Sequence, residues 1–284
     1  MLRSGSFWNK CAKLIAMDIL TAKRLCAITD NFYSRHADSF SATRQSAWQG
    51  WEKCLEVTGV TGQGALESEP HIFSVLDVAC GNLRFFSYLS QQVSPQTRFS
   101  LYAVDNCDAL LMQDGMTARL LPEIHFYKLD IMQELLEGKS IAKLLGIHGC
   151  NLVTCFGFMH HIPGQDMRSR FISDLVEMCA PGGYVALSLW QFMKDAKFAL
   201  KAQDVHKKAL PVCNFAEKDL DEGDYLLGWQ GLPVEPGNIR YAHSFSDSEL
   251  MYLIESATPC ARLISRFEAD GKSSNLNTYL IFKK

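Results

Sequence analysis

Three carboxylates at the ends of apolar runs carry the first chemical signal. They are Asp77 in Val75-Leu76-Asp77-Val78, Asp105 in Leu101-Tyr102-Ala103-Val104-Asp105, and Asp130 in Tyr127-Lys128-Leu129-Asp130. A small-residue loop, Ala79-Cys80-Gly81-Asn82, follows the first. Acids at the carboxyl ends of successive parallel strands, beside loop N–H groups that lead into a helix, suit a nucleotide-like ligand. Asp77 is placed to anchor a ligand ammonium or to order the loop. Gly81 lets the backbone come close to the ligand. Asp105 lies 24 positions after Gly81 (105 − 81), where an acid can accept both ribose hydroxyls of an adenosine. Asp130 can accept from an adenine amino group. Each acid alone could simply cap the next helix; three in register are harder to dismiss.

The same loop excludes other ligands. There is no G-x-x-x-x-G-K-[ST] run, so no P-loop. There is no G-x-G-x-x-G, since Ala79 and Leu83 stand where further glycines would be. A pyrophosphate needs that space and a nucleoside without phosphates does not, so NAD and FAD are disfavoured. Arg44, Arg84 and Arg240 lie in three separate blocks and are expected to converge as a clamp for a carboxylate or phosphate. His160-His161, after the apolar run 151–155, is a candidate for substrate contact or proton transfer, or else packs before Pro163. Trp190, Trp229 and Tyr241 stack a base or belong to the core. The ten cysteines form no C-x-x-C pair and the histidines have no partner at ligand spacing, so no metal is expected.

The elements that must position these residues follow from periodicity. Residues 7–30 read as helix, 31–44 as a segment that packs by its aromatics, and 45–57 as helix. Strands are expected at 72–78, 99–104, 124–128, 151–155 and 184–190. They alternate with helices at 83–91, 107–119, 131–145 and 165–179, and Ala180-Pro181-Gly182-Gly183 forms a turn. This alternation predicts a parallel sheet covered on both faces. The polar stretch from 194 breaks the rhythm. Ser246 and Glu249 form a capping box, and strands 261–267 and 278–282 form an antiparallel hairpin. The expected domains are a helical extension or lid (1–60) and an α/β domain (61–284) with an insertion at about 194–245.

With 284 residues, 48% hydrophobic and 21% charged, the chain can bury a substantial core. Its net charge of −3 supplies no global attraction for polyanions. No window resembles a signal peptide or a membrane span, and scattered thiols suggest a reduced, cytoplasmic setting.

These motifs together resemble the class I S-adenosylmethionine (SAM) methyltransferases, over about residues 30–284. The resemblance implies a Rossmann-like, seven-stranded, mostly parallel sheet with an antiparallel C-terminal hairpin. It implies SAM as cofactor, held by Asp77, Ala79, Cys80, Gly81, Asp105, Asn106, Asp130, Ile131 and Phe156. A narrower set of blocks is similar to the methyltransferases that esterify carboxymethyluridine at the tRNA wobble position. It comprises Phe40-Ser41-Ala42-Thr43-Arg44 with Trp48, Cys80 to Arg84, Met159 to Ile162, Gly223 to Trp229, and Arg240 to Phe245. That similarity implies a tRNA acceptor and Arg44, Arg84, His160, His161 and Arg240 as acceptor-side residues. Arg3, Lys10, Lys13, Lys23 and Arg24, or an activating protein partner, would then help bind RNA. Two other readings stay open: a small-molecule acceptor such as a metabolite carboxylate, and a catalytically silent SAM-binding partner subunit.

Overall fold

Apolar residues on both faces of the central strands settle the architecture of this computed structural model. It describes residues 17–43, 46–60, 72–93, 97–106, 124–257 and 259–284. The strands are β1 (Ile72–Val78), β2 (Arg98–Asp105), β3 (Ile124–Lys128), β4 (Cys150–Cys155), β5 (Cys179–Trp190), β6 (Asp224–Gly228), β7 (Ile239–His243), β8 (Arg262–Ala269) and β9 (Asn277–Lys283). Seven of them form one sheet in the order β3-β2-β1-β4-β5-β9-β8, and β6 and β7 form a separate hairpin. Neighbours from β3 to β5 are parallel, and β9 runs antiparallel to both β5 and β8. Alternate residues separate the two cores. Leu76, Val78, Val104, Val153 and Leu187 face one, and Val75, Leu101, Ala103, Leu152 and Ala186 the other. Each fully buried Val or Leu contributes about 1.5–3 kcal/mol of transfer free energy.

The helices are α1 (Ile19–Ala42), α2 (Gln49–Thr58), α3 (Arg84–Gln92), α4 (Ile131–Leu136), α5 (Ile141–Leu145), α6 (Gln165–Met178), α7 (Ala196–Val212) and α8 (Asp247–Ala257). The expected helix 107–119 and the start of the expected helix 7–30 lie outside the described residues. Elsewhere four boundaries differ from the sequence reading. The aromatic segment 31–42 continues α1, because Ala22, Leu25, Cys26, Thr29 and Phe32 carry one buried stripe straight into it. Expected helix 131–145 is two helices, broken at Gly138 (φ 75°) and restarted by the Ser140 cap, whose hydroxyl donates to Asp174 at 2.6 Å. Ala180–Gly183 is a bulge within β5, not a turn before it: Cys179 pairs with Cys150 and Tyr184 with Leu152. The 194–245 insertion folds into α7 and the β6–β7 hairpin, which the sequence reading left without elements.

Strand order creates the functional crevice. The chain moves outward from β1 through β2 to β3, then returns to place β4 on the other side of β1. Such a switch point leaves an opening at the carboxyl ends of β1 and β4, where ligands of open α/β sheets bind. The N-terminal helix and the hairpin close over that opening. The Tyr241 N–H donates to Thr29 Oγ1 at 3.2 Å, Trp229 Nε1 donates to Ser39 Oγ at 3.1 Å, and His36 Nε2 meets Asn238 Oδ1 at 3.0 Å. Arg24 donates to the Cys213 and Asn214 carbonyls and stacks on Phe215, so it ties α1 to the end of α7. Among the described residues no helix is long and apolar enough to cross a membrane.

Candidate active site

The opening at the switch point is a cavity of about 1300 Å³. Every residue expected to hold the cofactor or to face the acceptor as a catalytic group lines it except Arg44, which lies outside the described residues. Asp77, Ala79, Cys80, Gly81, Arg84, Asp105, Asn106, Asp130, Ile131, Phe156, His160, His161 and Arg240 come from five separate segments and meet there.

The β1–α3 loop is built on three left-handed residues in alternation: Ala79 (φ 61°), Gly81 (φ 55°) and Leu83 (φ 60°). The chain thus takes a glycine-type path with two side chains that disfavour it, at a cost of roughly 1–2 kcal/mol each. Leu83 is anchored because its side chain is wholly buried. The path turns the Gly81 N–H onto Asp105 Oδ2 at 2.8 Å, so Asp105 orders the loop and faces the cavity. A side chain at Gly81 would project into open space, which leaves the loop backbone accessible to a ligand.

Asp77 is 2% exposed and accepts from Thr154 Oγ1 at 2.7 Å. Burial pushes its carboxyl up to about 7, against the Thr154 hydrogen bond, with the Asp105 charge adding to the rise. The Arg84 charge, like the Thr154 hydrogen bond, works against that rise. Asp130 caps α4, accepting from the Gln133 N–H at 2.9 Å, so the helix-capping role holds while the residue also lines the cavity.

Of the three arginines expected to form a clamp, Arg84 and Arg240 line the cavity and are held differently, and Arg44 lies outside the described residues. Arg84 is occupied: Nη1 donates to the Ser46 carbonyl at 2.7 Å, Nε to Asn82 Oδ1 at 3.1 Å, and the guanidinium packs on Trp48 and Trp51. Burial lowers its pKa to about 10, with Asp77 opposing. It fastens the segment before α2 to the loop. Arg240 is different. It is 6% exposed and sits among four rings, 5.4 Å from the Phe32 centroid, 5.5 Å from Phe40 and Trp229, and 5.6 Å from Trp190. Its Nε is buried without a hydrogen-bond partner.

His160 and His161 lie in a 3₁₀ turn (Met159–His161) after β4, both nearly buried. His161 Nε2 meets the Tyr33 hydroxyl at 3.1 Å, and the His160 ring packs edge-on to Trp190. Of the expected stacking residues, Trp190 and Trp229 line the cavity. Tyr241 does not. Alternation along β7 turns it to the rear, where its hydroxyl donates to Asp224 at 2.7 Å. There His243 bridges Asp224 and Glu249, at 2.7 Å each, and Arg168 reaches Glu249 at 3.5 Å. This network locks the hairpin to α6 and α8 directly behind Arg240.

Sequence reasoning missed Tyr33, Phe40 and Asp270 as lining residues. Asp270 sits in the β8–β9 turn and accepts from the Gly50 N–H, Asn277 Nδ2 and the Tyr279 hydroxyl, which holds α2 at the rim. Gly50 permits this approach, since a Cβ there would meet the Tyr279 ring at 2.2 Å. Among the described residues no group of three ligands suits a metal, and the eight described cysteines are free thiols.

No family model matches the chain, and no curated protein matches its sequence. Solved structures do match. Magnesium protoporphyrin IX methyltransferase from Synechocystis PCC 6803, with bound S-adenosylhomocysteine (SAH), is 13% identical over 92% of this chain and 99% of that one, at a TM-score of 0.55. The 1,6-didemethyltoxoflavin N1-methyltransferase of Burkholderia thailandensis, with its substrate and SAH bound, is 14% identical over 93% and 88%, at 0.51. A SAM-dependent methyltransferase from Clostridium acetobutylicum is 12% identical over 88% and 98%, at 0.50. The fold is therefore the Rossmann-like fold of class I methyltransferases.

Proposed function

We propose that this chain is a SAM-dependent methyltransferase. The observation that carries the reading is the β1–α3 loop. It keeps the left-handed path despite Ala79 and Leu83, and sets its Gly81 N–H on Asp105 at the rim of the switch-point cavity. In this reading Asp77 and the 79–83 backbone hold the methionine end of SAM, Asp105 the ribose hydroxyls, and Asp130, Ile131 and Phe156 the adenine. SAM supplies a methyl group on a sulfonium that leaves readily to an in-line nucleophile. The protein's own work is to orient the acceptor and exclude water under α1 and the hairpin. A silent SAM-binding subunit would keep the same loop, so turnover and not SAM binding separates it from an active enzyme.

For the acceptor, the matching sequence blocks favour the carboxylate of a modified tRNA wobble uridine. The use of Arg24 inside the fold and the net charge of −3 favour a small acid instead. Tritium transfer from labelled SAM to total tRNA and to a small-molecule extract, assayed separately, tests the function. Label in either fraction is expected, and label in neither sinks the reading.

A further inference from the structure

Arg240 poses an electrostatic problem that the protein alone does not solve. A guanidinium taken out of water costs several kcal/mol unless it is paired. Among the described residues no carboxylate pairs with Arg240, and its Nε lacks any partner. Four rings offset part of that cost, since a cation near an aromatic face is attracted by the ring's quadrupole. Rings also make the rest of the box apolar, a combination that suits an anion carried on a flat, unsaturated body.

A second observation lies nearer the cofactor loop. Ring contacts lead from Arg240 to Trp190, then to His160, then to His161, whose Nε2 meets Tyr33. Tyr33 and His161 line the same cavity as Arg240 and Asp77, and His161 belongs to the turn that follows β4. A carboxylate needs no base to accept a methyl group, and one gripped by a guanidinium fork in a dry box has its lone pairs engaged. Arg240 is therefore suited to anchoring, and the Tyr33–His161 pair to proton removal elsewhere on the same molecule.

We propose that the acceptor is a ring acid whose carboxylate is anchored by Arg240 while a separate hydroxyl or amine on it, facing Tyr33–His161, receives the methyl group. This rests on the methyl-transfer reading and chooses, within it, against methylation of the anion itself. The acceptor's oxygen or nitrogen bonds to the methyl carbon as the sulfur–carbon bond breaks. The electron pair of that bond goes to sulfur, which becomes a neutral thioether. The acceptor's proton passes to the Tyr33 oxygen as Tyr33 hands its own to His161 Nε2, with the imidazole carrying its other proton on Nδ1.

Calorimetry of the full chain with benzoate and with benzamide tests the anchor, with SAH titrated in parallel. Benzoate is expected to bind at least about tenfold tighter than benzamide. Arg240→Met is expected to erase that preference and Arg240→Lys to keep part of it, as loss of the fork but not the charge requires. Equal binding of the two probes, or a preference unchanged in Arg240→Met, overturns the anchor. Failure of SAH to bind overturns the methyl-transfer reading instead, so the two failures are told apart. For the nucleophile, tritiated SAM is supplied with a panel of hydroxy- and aminobenzoates in one arm and with tRNA in the other. Base-stable label in either arm is expected, and Tyr33→Phe should lower kcat about 100-fold or more with little change in KM. Base-labile label, label in neither arm, or full kcat in Tyr33→Phe overturns the proposal.

Discussion

Replacing Ala79 and Leu83 separately with glycine should change stability by very different amounts, although both residues have φ near 60°. Relief of the left-handed backbone is worth roughly 1–2 kcal/mol at each position. The extra freedom of glycine in the unfolded chain takes back about 0.4–1 kcal/mol. Ala79 is half-buried and loses only one methyl group, worth about 0.4 kcal/mol at half the full burial value. Ala79→Gly should therefore lie between about 0.4 kcal/mol less stable and about 1.2 kcal/mol more stable. Leu83 is wholly buried against Phe85, Phe86 and the Trp51 cluster. Truncating a buried leucine to alanine costs about 2–5 kcal/mol, and glycine removes a further methyl, so Leu83→Gly should lose about 2–5 kcal/mol net. Urea unfolding followed by circular dichroism reads both values, with the slope checked for constancy. Destabilisation of Ala79→Gly by more than about 1 kcal/mol, or a Leu83→Gly variant within about 1 kcal/mol of the parent, would refute the account of the loop.

Two predictions concern pH and charge. Burial alone would raise the Glu249 carboxyl, but the hydrogen bond and charge of His243, the Ser246 N–H and Arg168 hold it at about 2 against an ordinary 4.5. A depressed acid contributes stability that is present above about pH 4.5 and lost as pH falls towards 2; Glu249→Gln should flatten that part of a stability–pH curve, and an unaltered curve would count against the network. Asp77, raised to about 7 by burial, carries the opposite sign: its contribution is full below its unfolded value of 3.8 and fades as pH rises through 7. Asp77→Asn should therefore stabilise the ligand-free protein at pH 7.5, by about 1–3 kcal/mol, while weakening SAH at least about tenfold; a variant both less stable and equally tight would contradict the role given to Asp77.

Local patterns made the central sheet and the cofactor side of the cavity legible. Strand ends, the small-residue loop and the capping box at Ser246–Glu249 are encoded within a few residues of one another, and each recurs in the structure. The acceptor side was not legible in the same way. Phe32, Phe40, Trp190, Trp229 and Arg240 reach one box from α1, the end of β5 and the β6–β7 hairpin, so no window contains their relation. Three arginines in separate blocks looked equivalent; only tertiary contacts show that Arg84 is spent on Ser46 and Asn82 while Arg240 is not. Residues 31–42 of the aromatic segment 31–44 do pack by their rings, but as a continuation of α1, since their spacing extends its buried stripe. Tyr33 belongs to that segment, which is why the partner of His161 was missed.

Calorimetric titration of SAH into the parent protein and into Asp105→Ala tests the central claim most directly. The account predicts saturable one-to-one binding to the parent. It predicts at least about a 100-fold loss in the variant, as removal of two charge-assisted ribose contacts at about 1.5–3 kcal/mol each requires. Urea midpoints for both proteins separate that loss from unfolding. Equal SAH affinity in a folded Asp105→Ala variant, or no binding to the parent, would contradict it.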